Sequence, residues 1–377
     1  MNVLVTGAGG FIGKNLISNL SEHKKINPII FLKSNSLHEL KKNLLACDAV
    51  VHLAAVNRSE LKSNFINTNF KLTKTICEII ENNKKKIPII YISSIHDKKK
   101  TYYGLSKKKA IEYLKKYSKK NKNTVEVLRL HRVFGKWSRP NYNSSVATFC
   151  QLLHSNKRIE LFNKSKILEY NYIDDVIELI NYLLFKKKYQ SKNKNFFHVN
   201  VLKTIYRLSS EQLLKKLYII KKKDFNLDLS NLGEEDSISK ILYSTYISFL
   251  PHNKITTKLK TLKDKRGSFT EILKTEKDGQ FSFFTCEPGE TRGEHYHNTK
   301  LEKFLVVSGS AEFRLRNLHD NKIIKLTLSD KSPELLTSIP GYVHDIKNIG
   351  KEKLVVFVWA NENFNKKKPD TYKKKIL

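Results

Sequence analysis

The hydrophobic pattern of this chain changes near residue 250, and that change constrains the fold more than any other feature of the sequence. Up to about residue 200, short apolar runs alternate with stretches of helical periodicity, which is typical of βαβ units that form a parallel sheet. After Pro251, short alternating segments are separated by Gly, Asn, Asp and Pro, as in an all-β sandwich or barrel. The sequence therefore predicts two domains, a doubly wound α/β domain at 1–250 and an all-β domain at 251–377.

The same periodicity locates the individual elements. In the first domain, strands are predicted at residues 3–6, 29–32, 49–53, 89–92 and 125–130. Helices are predicted at 11–20, 37–46, 65–81 and 103–117, and the stretch 207–250 reads as helical. In the second domain, strands are predicted at 268–273, 281–286, 302–308, 311–315, 323–328 and 354–359. A hydrophobic fraction of 40% in 377 residues is enough to fill both cores.

The formal charge of +34 would ordinarily suggest nucleic acid as a partner. Most of the 70 basic residues are Lys, and they occur in short runs scattered over the chain. Arg is the side chain suited to bidentate recognition of bases and phosphates, and no single element gathers the lysines among aromatic residues. We interpret the lysines as solvated faces and expect no specific nucleic-acid partner. Weak polyanion adhesion and steering of an anionic substrate remain as alternatives, and both should fade with added salt.

Membrane and secretory signals are absent from the sequence. No apolar run approaches the roughly 20 residues of a membrane span, and the first residues show neither a basic stretch nor a cleavage-site pattern. The four cysteines lie far apart without C-x-x-C spacing, which argues against a disulfide framework or a thiolate zinc site. We therefore expect a cytoplasmic protein without a membrane span.

A glycine-rich turn follows the first predicted strand and opens the first helix, with Gly7, Gly10 and Gly13 at G-x-x-G-x-x-G spacing. Glycine lets the chain turn tightly and lets backbone N–H groups at a helix N-terminus approach a pyrophosphate. A plain strand–helix turn is the alternative, but the position favours a dinucleotide site. The predicted cofactor contacts here are Gly7, Gly10, Phe11, Ile12 and Gly13.

The segment after the second strand bears on the choice of cofactor. Sites that prefer NAD usually place an acidic residue there to hold the ribose hydroxyls. This chain has Lys33, followed by Ser-Asn-Ser, and a cation suits the additional phosphate of NADP. The sequence thus favours NADPH, with an ordinary loop as the alternative.

Tyr103 and Lys107 have Y-x-x-x-K spacing, which places the phenol and the ammonium on the same face of a helix. A nearby Lys⁺ is expected to lower the Tyr pKa, so that the phenol can exchange a proton with a carbonyl while the cofactor moves hydride. In a chain rich in Tyr and Lys the spacing alone is weak. The glycine turn, the run 48–55 and the serines Ser93 and Ser94 at a strand end strengthen it.

Together these residues resemble the extended short-chain dehydrogenases/reductases, over roughly residues 1–245. The resemblance implies a Rossmann domain in which Ser94, Tyr103 and Lys107 form the catalytic triad, with Ser93 as the alternative serine. Further cofactor contacts are assigned to Leu53, Ala54, Ala55, Asn69, Tyr103 and Lys107, and residues near a nucleotide-sugar to Arg58, Arg132 and Asn143. Arg132 stands where many members carry Asn. His52 is interpreted as a packed histidine rather than a functional one.

The second domain carries the spacing of two metal-site motifs. Gly289, His295, His297, Glu302 and Gly309 fit the first cupin motif, and Gly341, His344 and Asn348 fit the second. Alternate residues of a strand share a face, so His295 and His297 should point together into the barrel, with Glu302 and His344 arriving from adjoining strands. Three imidazoles and a carboxylate suit Zn²⁺, and also Mn²⁺ or Fe²⁺. The ion could be catalytic or purely structural.

Residues 264–269 resemble the segment by which sugar 3,5-epimerases of the cupin class hold substrate. Asp264 and Arg266 are therefore predicted substrate residues. Such enzymes remove a proton next to a ketone, which requires a general base. The sequence does not identify that base.

A reductase followed by a cupin resembles, over essentially the whole chain, the CapF-type family of capsular polysaccharide enzymes. Segments 135–137, 140–144, 147–150, 242–246 and 369–372 add to the likeness. The resemblance implies a UDP-linked 2-acetamido-2,6-dideoxy-4-keto-hexose as substrate. It further implies epimerisation at carbon 3 by the cupin, then NADPH reduction of the carbon-4 ketone to UDP-2-acetamido-2,6-dideoxy-L-talose. The order is chemically required, because the ketone acidifies the neighbouring C–H and must be consumed last.

Two alternatives remain open from the sequence. In the first, the protein is a simple NADPH-dependent 4-ketoreductase whose cupin is structural or dimerising. In the second, it is a non-catalytic, basic sugar- or polyanion-binding protein. Because cupin barrels commonly pair, a homodimer is expected in either case.

Overall fold

The structure is a computed structural model that describes residues 1–161, 163–185, 195–225, 237–275, 279–365 and 367–376, with side chains left out at 223–225. The chain separates into two compact units, one over Met1–Leu217 and Asp236–Leu250, the other over Tyr218–Glu235 and Pro251–Leu377. Each unit is described by itself.

The first unit is built on a six-stranded parallel sheet with the strand order β2-β1-β3-β4-β5-β8. A smaller sheet has the order β6-β7-β9, in which β7 is parallel to β6 and antiparallel to β9. The strands are β1 (Asn2–Thr6), β2 (Asn27–Phe31), β3 (Ala49–His52), β4 (Ile89–Ser94), β5 (Val125–Leu130), β6 (Arg132–Phe134), β7 (Ile167–Tyr172), β8 (Phe197–Val201) and β9 (Tyr206–Ser209). The reversal of order at β1 and β3 is that of a doubly wound fold, which places ligands at the carboxyl ends of these strands.

Helices cover both faces of the large sheet. The described helices before residue 250 are α1 (Phe11–Glu22), α2 (Leu37–Ala46), α3 (Lys62–Ile66), α4 (Leu72–Asn82), α5 (Tyr102–Asn121), α6 (Ser145–His154), α7 (Ile173–Phe185), α8 (Ser210–Phe225) and α9 (Ser237–Ile247). One buried cluster joins the sheet to α2, α4 and α5, and includes Leu40, Ile76 and Leu114. A second joins the other face to α1 and α7, and includes Leu16, Leu20 and Ile177. The apolar faces of the helices thus supply both layers of core.

Two predicted helices differ from the structure. The helix predicted at 65–81 begins earlier as α3 and passes through a π-helical turn at Asn67–Lys71 before α4. The stretch 207–250 is not continuous helix, because Tyr206–Ser209 forms β9, and residues 226–236 lie outside the described residues. In β9, pairing with β7 overrides the local helical pattern. The α/β doubly wound class is confirmed.

The second unit consists of two antiparallel sheets. Their orders are β10-β11-β12-β19-β14-β17 and β16-β15-β18-β13-β20. The strands are β10 (Thr261–Asp264), β11 (Gly267–Lys274), β12 (Gln280–Cys286), β13 (Thr291–Tyr296), β14 (Glu302–Ser308), β15 (Ser310–Asn317), β16 (Ile323–Ser329), β17 (Leu335–Thr337), β18 (Tyr342–Asn348), β19 (Leu354–Ala360) and β20 (Tyr372–Lys373). Their inward residues, among them Phe304, Phe313 and Ile346, form one buried cluster. The all-β class is confirmed, while the pattern alone had not marked the strands β10, β13, β17, β18 and β20.

Two expectations concern the molecule as a whole. Within the described ranges, no helix is both long and apolar enough to cross a bilayer. All four cysteines are buried and unpaired, as their spacing suggested.

Candidate active sites

The glycine turn lies against the loop that follows β3. Gly7 has a φ of +69°, and a Cβ there would lie 2.7 Å from the backbone nitrogen of Ala54. Its own N–H donates to the carbonyl of Phe31 at 3.0 Å. Gly10 caps α1 without a side-chain hydrogen bond, which leaves the first-turn N–H groups without a side-chain partner. Backbone N–H groups in this arrangement suit a pyrophosphate.

Asn69 shapes the loop beside that turn. Its Oδ1 accepts from the N–H of Val56 at 2.8 Å, and its Nδ2 donates to the carbonyl of Val56 and to Oγ of Ser106, both at 2.9 Å. The amide is completely buried, and both of its protons are used. Asn69 therefore holds the end of the loop containing Leu53, Ala54 and Ala55 in place, and its role near the cofactor stays a prediction.

The segment after β2 contains both capping residues of α2 and an exposed cation. Asn35 and Ser36 are taken up in capping α2, where Ser36 and Glu39 form a reciprocal capping box. Lys33 is exposed and has no side-chain partner among the described residues. A cation is thus available at the end of β2, while the rest of the segment serves the helix.

The three predicted catalytic side chains come from the end of β4 and the first turns of α5. Thr101 caps α5 through the N–H of Gly104, and this cap fixes the start of the helix next to Ser94. Ser94 hydrogen-bonds to the Tyr103 phenol, whereas Ser93 donates to Asp97 at 3.3 Å. Lys107 is buried, and its Nζ donates to the carbonyl of Ile92 at 2.7 Å. The geometry favours Ser94 over Ser93 as the partner of Tyr103.

The pKa of Tyr103 differs from the expectation. Burial raises the pKa of Tyr103 to about 12, a rise that the Ser94 hydrogen bond only partly offsets. Burial also lowers the pKa of Lys107 to about 7, although Asp97 acts in the opposite direction. The predicted lowering of the Tyr pKa is therefore wrong, because desolvation is the largest cause of the shift. A protonated phenol at neutral pH suits a proton donor in a reduction.

The depressed Lys107 pKa predicts a pH dependence of stability. The unfolded chain keeps this Lys protonated to about pH 10.4, whereas the folded chain releases the proton above about pH 7. Since the unfolded state binds more protons between these values, the free energy of unfolding should rise with pH, by at most about 1.4 kcal/mol per pH unit. Chemical unfolding of wild type and Lys107→Met at pH 7, 8 and 9 tests this. Parallel curves for the two proteins would contradict it.

His52 is a packed histidine, as interpreted from the sequence. Nδ1 lies 2.6 Å from Oγ1 of Thr6 and Nε2 lies 2.9 Å from Oγ1 of Thr73. Burial, and then the charge of Lys107, lower the pKa of His52 to about 3. The ring is neutral and has both nitrogens occupied, so it links β3 to β1 and to α4 rather than reacting.

The predicted nucleotide-sugar residues fall into two groups. Arg58 donates to the carbonyl of Tyr142 at 3.0 Å, which brings it next to the exposed Asn143. Arg132 lies in β6. The pKa of His96 is lowered by burial, then by the charge of Lys99 and then by the charge of Arg132. Arg132 is thus near the end of β4, where Ser94 lies.

Four side chains of the second unit converge as predicted. The ligand atoms of His295, His297, Glu302 and His344 all lie within 4.8 Å of one another. The ring centroids of His295 and His344 are 4.6 Å apart, because these residues are directly paired across β13 and β18. One detail corrects the prediction, since Glu302 comes from β14 in the other sheet and not from an adjoining strand.

The four side chains fit a divalent ion. Nε2 of His297 and both ring nitrogens of His344 are buried and have no hydrogen-bond partner in the described structure. Oε2 of Glu302 lies 3.2 Å from Nε2 of His297 and 3.4 Å from Nε2 of His344, and neither contact has the geometry of a hydrogen bond. Burial lowers the pKa of His295 to about 4, which keeps it neutral, as a ligand must be. Unpaired buried nitrogens facing a carboxylate are the expected state of ligands to a metal.

A backbone irregularity positions His295. The register of β13 shifts between Gly293 and His295, and Gly293 has a φ of +107° with its missing Cβ 2.7 Å from the carbonyl of His344. We therefore expect Gly293→Ala to destabilise the protein by about 1–3 kcal/mol and to weaken divalent-ion binding. Thermal unfolding and ion titration measure both effects. Gly350→Ala, where a Cβ meets nothing closer than 3.4 Å, is the control, and equal losses in both variants would contradict the prediction.

Asp264 and Arg266 form an ion pair beside the cavity that the candidate metal ligands line. Arg266 Nη2 donates to Asp264 Oδ2 at 2.6 Å, and Arg292 Nη2 donates to Asp264 Oδ1 at 3.0 Å. Arg292, with His295 and Glu302, lines a cavity of about 140 Å³. Sequence reasoning missed Arg292, although its position three residues before His295 could have indicated it. The structure thus connects the predicted pair to the cavity through a second arginine.

The two sites define an enzyme with a dinucleotide-binding reductase-type domain and a barrel suited to a metal ion. Residues 3–201 match the NAD dependent epimerase/dehydratase family, and residues 262–372 match the polysaccharide biosynthesis C-terminal domain. The chain belongs to the NAD dependent epimerase/dehydratase family, whose members use a nicotinamide cofactor.

Similar proteins match both parts of the chain. A UDP-2-acetamido-2,6-beta-L-arabino-hexul-4-ose reductase of Pseudomonas aeruginosa is 40% identical over 99% of this chain and 98% of its own length. The capsular polysaccharide assembling protein CapF from Staphylococcus aureus has a TM-score of 0.88 and 35% identity, with both chains fully covered. A UDP-glucuronic acid 4-epimerase from Bacillus cereus, at 18% identity and a TM-score of 0.56, shares the fold over 66% of this chain and 96% of its own.

Proposed function

We propose that this enzyme converts a UDP-linked 2-acetamido-2,6-dideoxy-4-keto-hexose in two steps, epimerisation at carbon 3 in the barrel and NADPH reduction of the carbon-4 ketone in the first domain. The product is UDP-2-acetamido-2,6-dideoxy-L-talose. The observation that carries the proposal is the full-length similarity to a reductase of such a sugar, combined with a Ser94–Tyr103 pair at the end of β4. The domain division at 250/251 is part of the proposal.

In the reductase site, Tyr103 donates the proton and Ser94 orients the carbonyl oxygen. The Ser94 hydroxyl interacts with the phenol, and both groups are proposed to donate hydrogen bonds to the carbon-4 oxygen. The bound nicotinamide supplies hydride to the carbon. Lys107, anchored on the Ile92 carbonyl, supports the phenol as it gives up its proton. The exposed Lys33 favours NADPH, since it can neutralise the additional phosphate.

In the barrel, the proposed reaction is proton exchange at carbon 3. The ketone acidifies that C–H, and the cavity between the two sheets is lined mainly by apolar side chains, with Arg292 offering a charge for an anionic group. Zn²⁺, bound by His295, His297, Glu302 and His344, would stabilise negative charge developing on an oxygen. Asp264 and Arg266 are proposed to hold the substrate next to Arg292.

Location and assembly follow from the same proposal. UDP-sugars and NADPH are cytoplasmic metabolites, so the cytoplasm is the proposed site of action. A homodimer is proposed through the barrel, whose outer face exposes Phe281 and Phe357 on neighbouring strands. Sedimentation of the purified chain, with Phe281→Ser as the variant, tests the assembly.

One experiment separates this proposal from a simple 4-ketoreductase. The protein is incubated with NADPH and the UDP-4-keto sugar in deuterated water, and the product is analysed for stereochemistry and for label at carbon 3. We expect inverted carbon 3 carrying deuterium, because epimerisation exchanges that proton with solvent. NADPH consumption without label would support the simple reductase, and no consumption at all would favour the binding protein.

A further inference from the structure

A segment distant in sequence from the metal ligands packs against the strand and loop that carry two of them. Tyr372 and Lys373 of β20 pair with Tyr296 and His295 of β13. The ring of Tyr372 stacks on that of Tyr296 with centroids 5.1 Å apart, and the N–H of Lys374 donates to the carbonyl of Glu294 at 2.9 Å. We call residues 369–376 the docking segment.

The backbone of Asp370 fixes the tautomer of His297. Nδ1 of His297 lies 2.6 Å from the carbonyl oxygen of Asp370. A carbonyl oxygen can only accept, so Nδ1 carries a proton, and in the neutral ring that a metal ligand requires Nε2 then presents its lone pair. That Nε2 is the buried atom that faces Glu302 without a hydrogen-bond partner in the described structure. The docking segment therefore decides which nitrogen of His297 is free to bind an ion.

The carboxylate of Asp370 holds the loop that follows His297. Oδ1 accepts from the N–H of Asn298 at 3.1 Å, and Oδ2 accepts from the N–H groups of Thr299 at 2.9 Å and Lys300 at 2.8 Å. Oδ2 also accepts from the hydroxyl of Thr299 at 3.0 Å. Three successive N–H groups directed at one carboxylate form a specific arrangement rather than a chance surface contact.

The same loop reaches the carboxylate ligand. Nζ of Lys300 lies 3.0 Å from Oε1 of Glu302, and only 11% of each side chain is exposed. Because Lys300 occupies Oε1, Oε2 is left to face the imidazoles of His297 and His344. Asp370 thus contacts one ligand directly and influences a second through the backbone of Lys300.

We propose that Asp370 is a positioning residue of the metal centre, which holds His297 and, through Lys300, Glu302 in their ligating orientations. Ion binding and docking of residues 369–376 are consequently linked, so that each favours the other. This inference rests on the divalent ion of the proposed function.

Metal affinity in the full chain provides the first test. Zn²⁺ dissociation constants are measured by competition with a chromophoric chelator for wild type, Asp370→Ala, Asp370→Asn and the control Asp330→Ala. Asp330 likewise accepts a backbone N–H, that of Gly309, in a turn without ligands. We expect Asp370→Ala to bind Zn²⁺ about 10–100-fold more weakly, Asp370→Asn to be intermediate because it keeps an acceptor oxygen, and Asp330→Ala to match wild type.

Co²⁺ substitution adds a readout that a loss of stability alone would not change. The visible ligand-field bands of Co²⁺ should differ between Asp370→Ala and wild type, because the positions of His297 and Glu302 change, and should be unaltered in Asp330→Ala. A Zn²⁺ dissociation constant for Asp370→Ala within twofold of wild type, with identical Co²⁺ bands, would overturn the inference. Wild type that binds no divalent ion would reject the metal of the proposed function, and the inference with it.

The reciprocal effect is tested by proteolysis. Trypsin cleavage at Lys373, Lys374 and Lys375 is followed by mass spectrometry with and without Zn²⁺. Wild type should be cleaved several-fold more slowly when it holds the ion, and Asp370→Ala should lose that protection. Equal cleavage of ion-bound and ion-free wild type, in a protein that titrates with Zn²⁺, would overturn the linkage while leaving the metal site intact.

Discussion

Tyr103→Phe should lower kcat/KM for reduction of the UDP-4-keto sugar by about 10²–10⁴-fold, the range for loss of a positioned acid. The phenol hydrogen-bonds to Ser94 and burial keeps it protonated, so the variant removes the proton donor without opening a cavity. NADPH binding should be unchanged, and the free energy of unfolding should fall by no more than about 1.5 kcal/mol. Initial rates of NADPH oxidation and a fluorescence titration of the cofactor measure these quantities.

The adjacent tyrosine supplies the control. Tyr102 is 53% exposed, and the Lys62 ammonium lies 4.8 Å from the centroid of its ring, so Tyr102→Phe changes the same group one position away. We expect it to retain wild-type kcat/KM. Tyr103→Phe with a rate within threefold of wild type would remove Tyr103 from the proposed chemistry, whereas equal losses in both variants would point to damage at the start of α5.

His344→Gln should weaken Zn²⁺ binding by on the order of a hundredfold or more, since even an outer partner of a ligand accounts for 10–100-fold. His344 is buried opposite His295 in the ladder, and an amide is a poor replacement for imidazole nitrogen as a Zn²⁺ ligand. Deuterium exchange at carbon 3 should decrease in proportion to the loss of bound ion. Metal content per chain and label in the recovered sugar are the measurements.

The variant also separates the two proposed activities. Supplied with a ketone whose carbon 3 is already inverted, His344→Gln should still oxidise NADPH at the wild-type rate, because Tyr103 and Lys107 belong to the first domain. His319→Gln, on an exposed turn, is the matched control and should keep both ion and exchange. Full exchange by His344→Gln freed of metal would show that the ion is structural.

The sequence predicts those features that depend on spacing within one element. Gly7, Gly10 and Gly13 lie around one turn, and Tyr103 and Lys107 lie on one helical face, so local periodicity was enough to group them. The fold class followed from the same periodicity. The pKa of Tyr103 could not be predicted in this way, because it depends on how much water the folded chain removes from the phenol, and burial is the largest cause of its shift.

Features that depend on distant pairing were beyond sequence reasoning. Glu302 approaches the histidines from the opposite sheet, which no spacing reveals. Asp370 contacts His297 through its backbone carbonyl. Every residue has this group, so no sequence pattern could reveal the contact. The residues around Arg207 were predicted to be helical, because their pairing with β7 is a tertiary contact that the local pattern does not show. The residues of the proposed substrate site, Arg58 and Arg132 among them, stay predictions.

Because of the register shift in β13, the set of residues that can bind the ion depends on the pairing register of the strand as well as on which residues are present. With the additional residue between Gly293 and His295, His295 stands opposite His344. In a strictly alternating ladder Glu294 would take that place, and His295 would turn to the outer face. If the bulge were straightened without the loss of a residue, every histidine and the carboxylate would remain in the chain and yet the site would be dismantled. Relatives with the same ligands but a different spacing before the first histidine should therefore be examined for a compensating bulge before a metal is assigned to them.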